Sequence, residues 1–298
     1  MRAQVNLLPD GRRLYLQDGP IDLIIEAFGP PAEIAAAYRA AINRFATILD
    51  ELCSELSLLR TPAGPYTAMP KTTTAIRMAM AVAPYAKRTF ITPMAAVAGA
   101  VAEEILHAMT SAAELSKAYV NDGGDIALHL AHNQRFVIGM IDRPDRPSLF
   151  GKALLRYGNP VRGIATSGWR GRSFSLGIAD AVTVLMQRAA MADAAATIIA
   201  NAVDLPGNQK VHRVPACSID PDSDLRDLMV TQSVGELCSE EIHCGLDRGV
   251  AVAQQLRSEG LIHSAALHLQ GQTRVVTADQ ELACVCPKLE VSRSLLHA

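Results

Sequence analysis

The 298-residue sequence predicts an α+β fold, with mixed or antiparallel sheets built mainly from hairpins and covered by packed helices. Three observations lead there. Short apolar runs flank turn residues at Asp18-Gly19-Pro20, at Gly123-Gly124 and at Gly271, the signature of strand–turn–strand units. Residues 32–59 place apolar side chains at spacings of three and four with no internal proline or glycine, as a helix requires. Apolar residues make up 49% of the chain and charged residues 19%, which suits a globular protein with a substantial core.

The elements follow in order. Residues 13–16 and 21–27 read as two short strands around the Asp-Gly turn, and Gly29-Pro30-Pro31 stops the second. The helix over 32–59 comes next. Residues 60–92 carry several prolines, with a short helix at 74–82. Thr92-Pro93 should open another helix, since threonine caps and proline suits the first helical position. That helix continues through Met94 to Glu104 with a face of small residues, open to another backbone or to a ligand. Residues 118–130 read as strand, turn and strand, and 136–140, 161–165 and 181–185 as further strands. An alanine-rich helix spans 186–203, another spans 236–259 up to Gly260, and strands at 264–269 and 273–277 close the chain. No fixed-period repeat or low-complexity linker divides it, so one domain over 1–298 is expected, with a motif core at about 90–205.

Composition narrows the function. A formal charge of −2 offers no basic excess for a nucleic-acid partner. The apolar stretch at 95–102 is bounded by Pro93 and Glu103-Glu104, too short to span a bilayer, and the N-terminus has no signal architecture. The expectation is a cytoplasmic protein. The cysteines (Cys53, Cys217, Cys238, Cys244, Cys284 and Cys286) form no CxxC pair or zinc template and read as free thiols, with Cys284 and Cys286 on one face of any strand that holds both. Alanine-rich helices and hairpin edges are surfaces that pair, so a homodimer is a further expectation.

Three segments carry chemistry. In Ala192-Asp193-Ala194-Ala195-Ala196-Thr197, helical spacing puts the Asp193 carboxylate and the Thr197 hydroxyl side by side among apolar residues. Two such oxygens suit a hard cation such as magnesium; a capping or surface-paired aspartate is the alternative. In Asn121-Asp122-Gly123-Gly124-Asp125, paired glycines let the backbone approach a ligand and turn N–H groups can receive a phosphate, though the same residues also make ordinary hairpin turns. In Gly163-Ile164-Ala165-Thr166-Ser167-Gly168, a strand end presents hydroxyls and N–H groups, and Arg170 and Arg172 follow as candidate phosphate partners.

The order of these segments, with Thr92-Pro93-Met94-Ala95-Ala96-Val97-Ala98-Gly99 ahead of them, resembles the ApbE family, the FAD:protein FMN transferases, and more closely a cytoplasmic branch of that superfamily. The resemblance implies an ApbE-like, T-fold-related architecture. It implies magnesium on Asp193 and Thr197, and a flavin-nucleotide site, with FAD as substrate or ligand, along Asn121, Gly123, Gly124, Asp125, Thr166 and Ser167. The implied activity is FMN transfer to an acceptor protein, or FAD pyrophosphate cleavage. Two departures stand against it. The family's His-x-Ile-Asp-Pro segment corresponds to Ser173-Phe174-Ser175-Leu176-Gly177-Ile178-Ala179-Asp180, which lacks the histidine, and Ala98 stands where the family has lysine. His129 or His132 could substitute, although a lone histidine is more often structural. A non-catalytic ligand-binding member of the fold, or an enzyme for another small anionic substrate, therefore stays open, the second with new specificity in residues 169–180.

Overall fold

A computed structural model describes residues 3–141 and 149–277. Its elements are Gln4–Leu7 (β1), Leu14–Asp18 (β2), Ile21–Phe28 (β3), Pro31–Ser54 (α1), Leu56–Leu59 (α2), Thr73–Val82 (α3), a 3-10 turn at Pro93–Ala96, Val97–Ala112 (α4), Lys117–Asp122 (β4), Asp125–Leu130 (β5), Arg135–Ile141 (β6), Leu149–Arg156 (β7), Gly163–Ser167 (β8), Ala181–Met186 (β9), Ala189–Ala202 (α5), Val211–Pro215 (β10), Ala216–Ile219 (α6), Met229–Val234 (β11), Ser239–Ser258 (α7), Ser264–Leu269 (β12) and Gln272–Val276 (β13). Cys284 and Cys286 lie outside the described residues. No helix among the described residues is long and apolar enough to cross a membrane.

Nine strands form one antiparallel sheet in the order β1-β2-β3-β4-β5-β8-β9-β12-β13. The order contains a repeat that the sequence does not display. A hairpin, a pair of long helices and a second hairpin (β2-β3, α1 and α4, β4-β5) are followed by the same arrangement (β8-β9, α5 and α7, β12-β13). The units join where β5 pairs with β8 through Ile126↔Ile164 and Ala127↔Gly163. The helices bury their apolar stripes on one face of the sheet. The β6-β7 hairpin helps cover the other, closing a second core of Leu128, Leu130, Leu155, Val161, Ile164 and Leu185. Strand β9, sandwiched between layers, is buried at every position and reads as an apolar run interrupted by Thr183, whereas β2 alternates.

Several boundaries differ from expectation. The first long helix breaks at Glu55, dividing α1 from α2. Met186 ends β9 rather than opening α5, and β8 starts at Gly163 rather than 161. Thr92 does not cap: its buried hydroxyl donates to Asp224, and helix α4 begins after the intervening 3-10 turn. The small-residue face of α4 serves backbone contact. A Cβ on Gly99 would collide with the Ala189 carbonyl and sit 2.7 Å from Ala190 N, so α4 and α5 cross at main-chain contact.

Candidate functional site

The sheet repeat brings the three chemical segments to the seam between its two units. The tight β4-β5 turn places Asp122 and Asp125 opposite each other, with Gly123 and Gly124 in left-handed conformations at φ 62° and 115°. The Gly124 N–H donates to Asn121 Oδ1 at 2.8 Å, so the turn spends one of its two glycine amides on itself. Across the seam, Asp125 Oδ1 accepts from the Thr166 N–H of β8 at 3.0 Å. The Thr166 hydroxyl lies 2.9 Å from that of Thr183, and Ser167 follows at the partly buried strand end.

Helix α5 brings Asp193 to this point. Its N-cap, Arg188, makes no side-chain cap, nor does Ala96 at the head of α4. Asp193 supplies the second deficit, its Oδ2 accepting from the Gly99 N–H at 3.1 Å. Thr197, one turn along the same face, leaves its hydroxyl without a partner among the described residues. Asn201, one turn further, accepts from Leu176 N–H at 2.9 Å and lies 3.1 Å from the Ser175 hydroxyl.

The electrostatics are lopsided. Burial raises the Asp193 carboxyl well above the carboxylate range, the charges of Asp125 and Asp122 push the same way, and the Gly99 and Ala98 amides oppose. Asp125 is raised by burial and by Asp122, against the Thr166 amide and Arg172. Burial pushes Asp122 up to about 7, with Arg172 the leading counterweight. Asp193 and Asp125 keep some solvent-accessible surface, so they are recessed rather than sealed. The other acidic side chains buried nearby have strong cationic partners. Glu104 binds Arg44 at 2.8 Å and Arg77 at 3.0 Å, Glu103 binds Arg188 at 2.8 Å, and Asp180 binds Arg170 at 3.1 Å. Asp193 has main-chain donors and two neighbouring acids.

The structure separates the two candidate arginines. Arg170 is committed to Asp180 and stacks on the Trp169 ring at 4.1 Å. Arg172 lies over Gly123, where any Cβ would strike its guanidinium, and among the described residues it makes only long contacts, to Asp122 (3.6 Å) and the Pro20 carbonyl (3.4 Å). The segment 173–180 is a strut. Asp180 Oδ2 accepts from Gln270 N–H at 2.7 Å, Asn201 fixes Ser175 and Leu176, and Gly177 packs on the α5 backbone. Neither histidine reaches the site. His129 Nε2 lies 3.1 Å from the Leu115 carbonyl at the far end of β5, and His132 packs edge-on against Tyr157. Sequence reasoning left Glu103 without a role. The acid pair at 103–104 after a small-residue run was the available signal.

Among the described residues, no three His, Cys, Asp or Glu side chains converge as a ready-made metal cage. The site is thus an oxygen-lined recess of a two-unit antiparallel α+β protein, short of positive charge at one aspartate. Residues 5–275 match the model of the family described as AbpE bacteria, and the chain belongs to that family. A UPF0280 protein of Methanothermobacter thermautotrophicus is 38% identical over 122 residues, 40% of this chain and 46% of that protein. One from Methanopyrus kandleri is 41% identical over 113 residues, 37% of this chain and 42% of that protein. The matches span less than half the length of these relatives. The apo flavinyl transferase ApbE of Pseudomonas stutzeri aligns over 94% of this chain and 95% of its own, at 13% identity and a TM-score of 0.43. The flavin transferase ApbE of Vibrio cholerae aligns over 93% and 96%, at 13% identity and a TM-score of 0.37.

Proposed function

We propose that this protein binds a flavin nucleotide such as FAD together with magnesium at the β4-β5/β8/α5 seam and processes it, as an FMN transferase or an FAD pyrophosphatase. One observation carries the reading: Asp193 is recessed beside two other acids without a cationic side chain, an arrangement that favours either its protonation or a bound cation. The Asp193 carboxylate and the Thr197 hydroxyl, which has no partner among the described residues, are hard donors suited to magnesium, whose remaining positions would fall to water and ligand oxygens. Magnesium, when bound, would neutralise phosphate charge.

The chain's own groups have distinct tasks. The glycine turn allows close approach of the ligand. Arg172, loosely held and 62% exposed, can move from Asp122 to a phosphate oxygen. Asp125 stiffens the Thr166 backbone, so that Thr166 and Ser167 offer a fixed edge to the ligand. The same reading gives FMN transfer an acceptor protein of its own.

The test is to incubate the protein with FAD, with and without magnesium, and to follow melting temperature and nucleotide products. A magnesium-dependent rise and AMP release, both lost in Asp193→Ala, are expected. Activity that survives in Asp193→Ala would exclude this mechanism. A second reading, saturable binding without turnover, is favoured by one observation: neither His129 nor His132 reaches the seam, and the segment in the family histidine's place is locked by Asn201 and Gln270. FAD binding with magnesium but without AMP would select it.

A further inference from the structure

We propose that Glu103 is the positioning residue of the cation site: it locks the head of α5 to α4, and so sets where Asp193 and Thr197 stand. The proposal rests on the reading of Asp193 and Thr197 as cation ligands.

Two contacts bracket the crossing of the helices. Gly99 N–H of α4 donates to Asp193 of α5 at 3.1 Å, and Ala190 N–H of α5 donates to Glu103 Oε1 at 2.9 Å. Glu103 lies four residues beyond Gly99, and Asp193 three beyond Ala190, so each carboxylate is about one turn from the amide its partner binds. Neither helix has a side-chain cap at its own N-cap residue. Each helix head, with its unpaired N–H groups and positive dipole end, is therefore capped by an acid of the other helix. The main-chain contact of Gly99 with Ala189 leaves no slack between them.

The reciprocal pair is unequal. Glu103 Oε2 also takes Arg188 Nη2 at 2.8 Å, Arg188 Nε at 3.1 Å and Arg77 Nη1 at 3.3 Å, so it is a neutralised, fixed anion. Asp193 has no such partner. One member of the pair is thus charge-compensated in holding the crossing, and the other has main-chain donors and no cationic side chain among the described residues. Loss of Glu103 would free Arg188 and the first turn of α5, one turn before Asp193 and two before Thr197.

Glu104 is the internal control. It is equally embedded, but it points to Arg44, Thr73 and Arg77 on the α1 and α3 side. Both Glu103→Gln and Glu104→Gln should lower the melting temperature. Only Glu103→Gln should weaken magnesium binding, by about tenfold as for outer-shell supports of metal ligands, with Glu103→Ala weaker still. The experiment is calorimetric titration of the full-length protein with magnesium chloride, together with amide hydrogen exchange of residues 97–100 in the metal-free state. In Glu103→Gln, exchange at the Gly99 amide, one turn before Glu103 on the same face of α4, should accelerate. In Glu104→Gln it should not. Equal loss of magnesium affinity in both variants, or unchanged affinity and exchange in Glu103→Gln, would overturn the proposal. If the wild-type protein takes up no magnesium, the reading of Asp193 as a ligand fails, while exchange at Gly99 still decides whether Glu103 holds the crossing. If Glu103→Ala does not fold, Glu103→Gln alone carries the comparison.

Discussion

Asp122→Asn should make the metal-free protein more stable at alkaline pH, with a gain less than half as large at pH 5. Asp122 is only 4% exposed, its neighbours include Asp125, Asp193 and Asp22, and Arg172 reaches it at 3.6 Å. Burial lifts its pKa from 3.8 to about 7. Between those values the folded chain keeps a proton that the unfolded chain has released, so unfolding free energy falls as pH rises. The stabilisation is complete below the unfolded pKa and is lost as pH passes through the folded one. At 1.36 kcal/mol per pKa unit the loss is on the order of 4 kcal/mol for this residue, as an upper value. Asparagine has the shape of the protonated acid and cannot ionise. Because pH 5 already lies about 1.2 units above the unfolded pKa, the variant should gain up to about 1.6 kcal/mol over wild type there, and up to about 4 kcal/mol at pH 8.5. Asp125 and Asp193 both respond to the Asp122 charge, so the gain includes their relief and will not add to the effects of mutating them. Urea unfolding in EDTA at the two pH values measures both numbers. If Asp122→Asn is destabilising at pH 8.5, or shifts stability equally at both, then Arg172 holds an ionised Asp122 and the argument from burial is wrong.

Arg170→Ala should cost about 3 kcal/mol in urea unfolding, because it leaves buried Asp180 without its cation. Arg172→Ala should stay within about 0.5 kcal/mol in the same assay, its contacts being long and exposed. It should nevertheless weaken FAD binding in the presence of magnesium by about tenfold, the value of one charged hydrogen bond, measured by calorimetry. Gly99→Ala forces α4 away from Ala189 and should destabilise by about 2–3 kcal/mol, with a parallel loss of magnesium affinity in titration.

What could be read from the chain follows the range of the interactions concerned. The hairpins at 118–130 and 264–277 were legible because alternation and glycine turns are local. So was the placement of Asp193 and Thr197 one turn apart on a single helix, which needs only helical spacing. Strands β1, β7, β10 and β11 were missed. β7 (LFGKALLR) lacks clean alternation and carries Gly151, and β10-β11 is a short ribbon ending in Pro215. Met186 looked helical because it is apolar, but β9 is buried on both faces, which removes the alternation that marks a strand. The separation of Arg170 from Arg172 depends on Asp180 and Gln270, the latter about a hundred residues away in sequence. Local pattern carries no trace of it.

The reach of these tertiary contacts explains why the site lies at the seam. The β5–β8 ladder that joins the two sheet units registers only two residue pairs, so the ladder alone is a weak joint. The Asp125 bond to Thr166 N–H ties one unit's turn to the other unit's strand, and the α4–α5 crossing ties their helix layers. Every group assigned to the recess belongs to one of these ties or lies beside one. A ligand bridging Asp193, Arg172 and the glycine turn would therefore draw the two units together, and its binding energy would appear partly as stiffening of the seam. Placing the least compensated acid of the group at the joint leaves stability there dependent on charge, and a bound cation is the simplest means of supplying it.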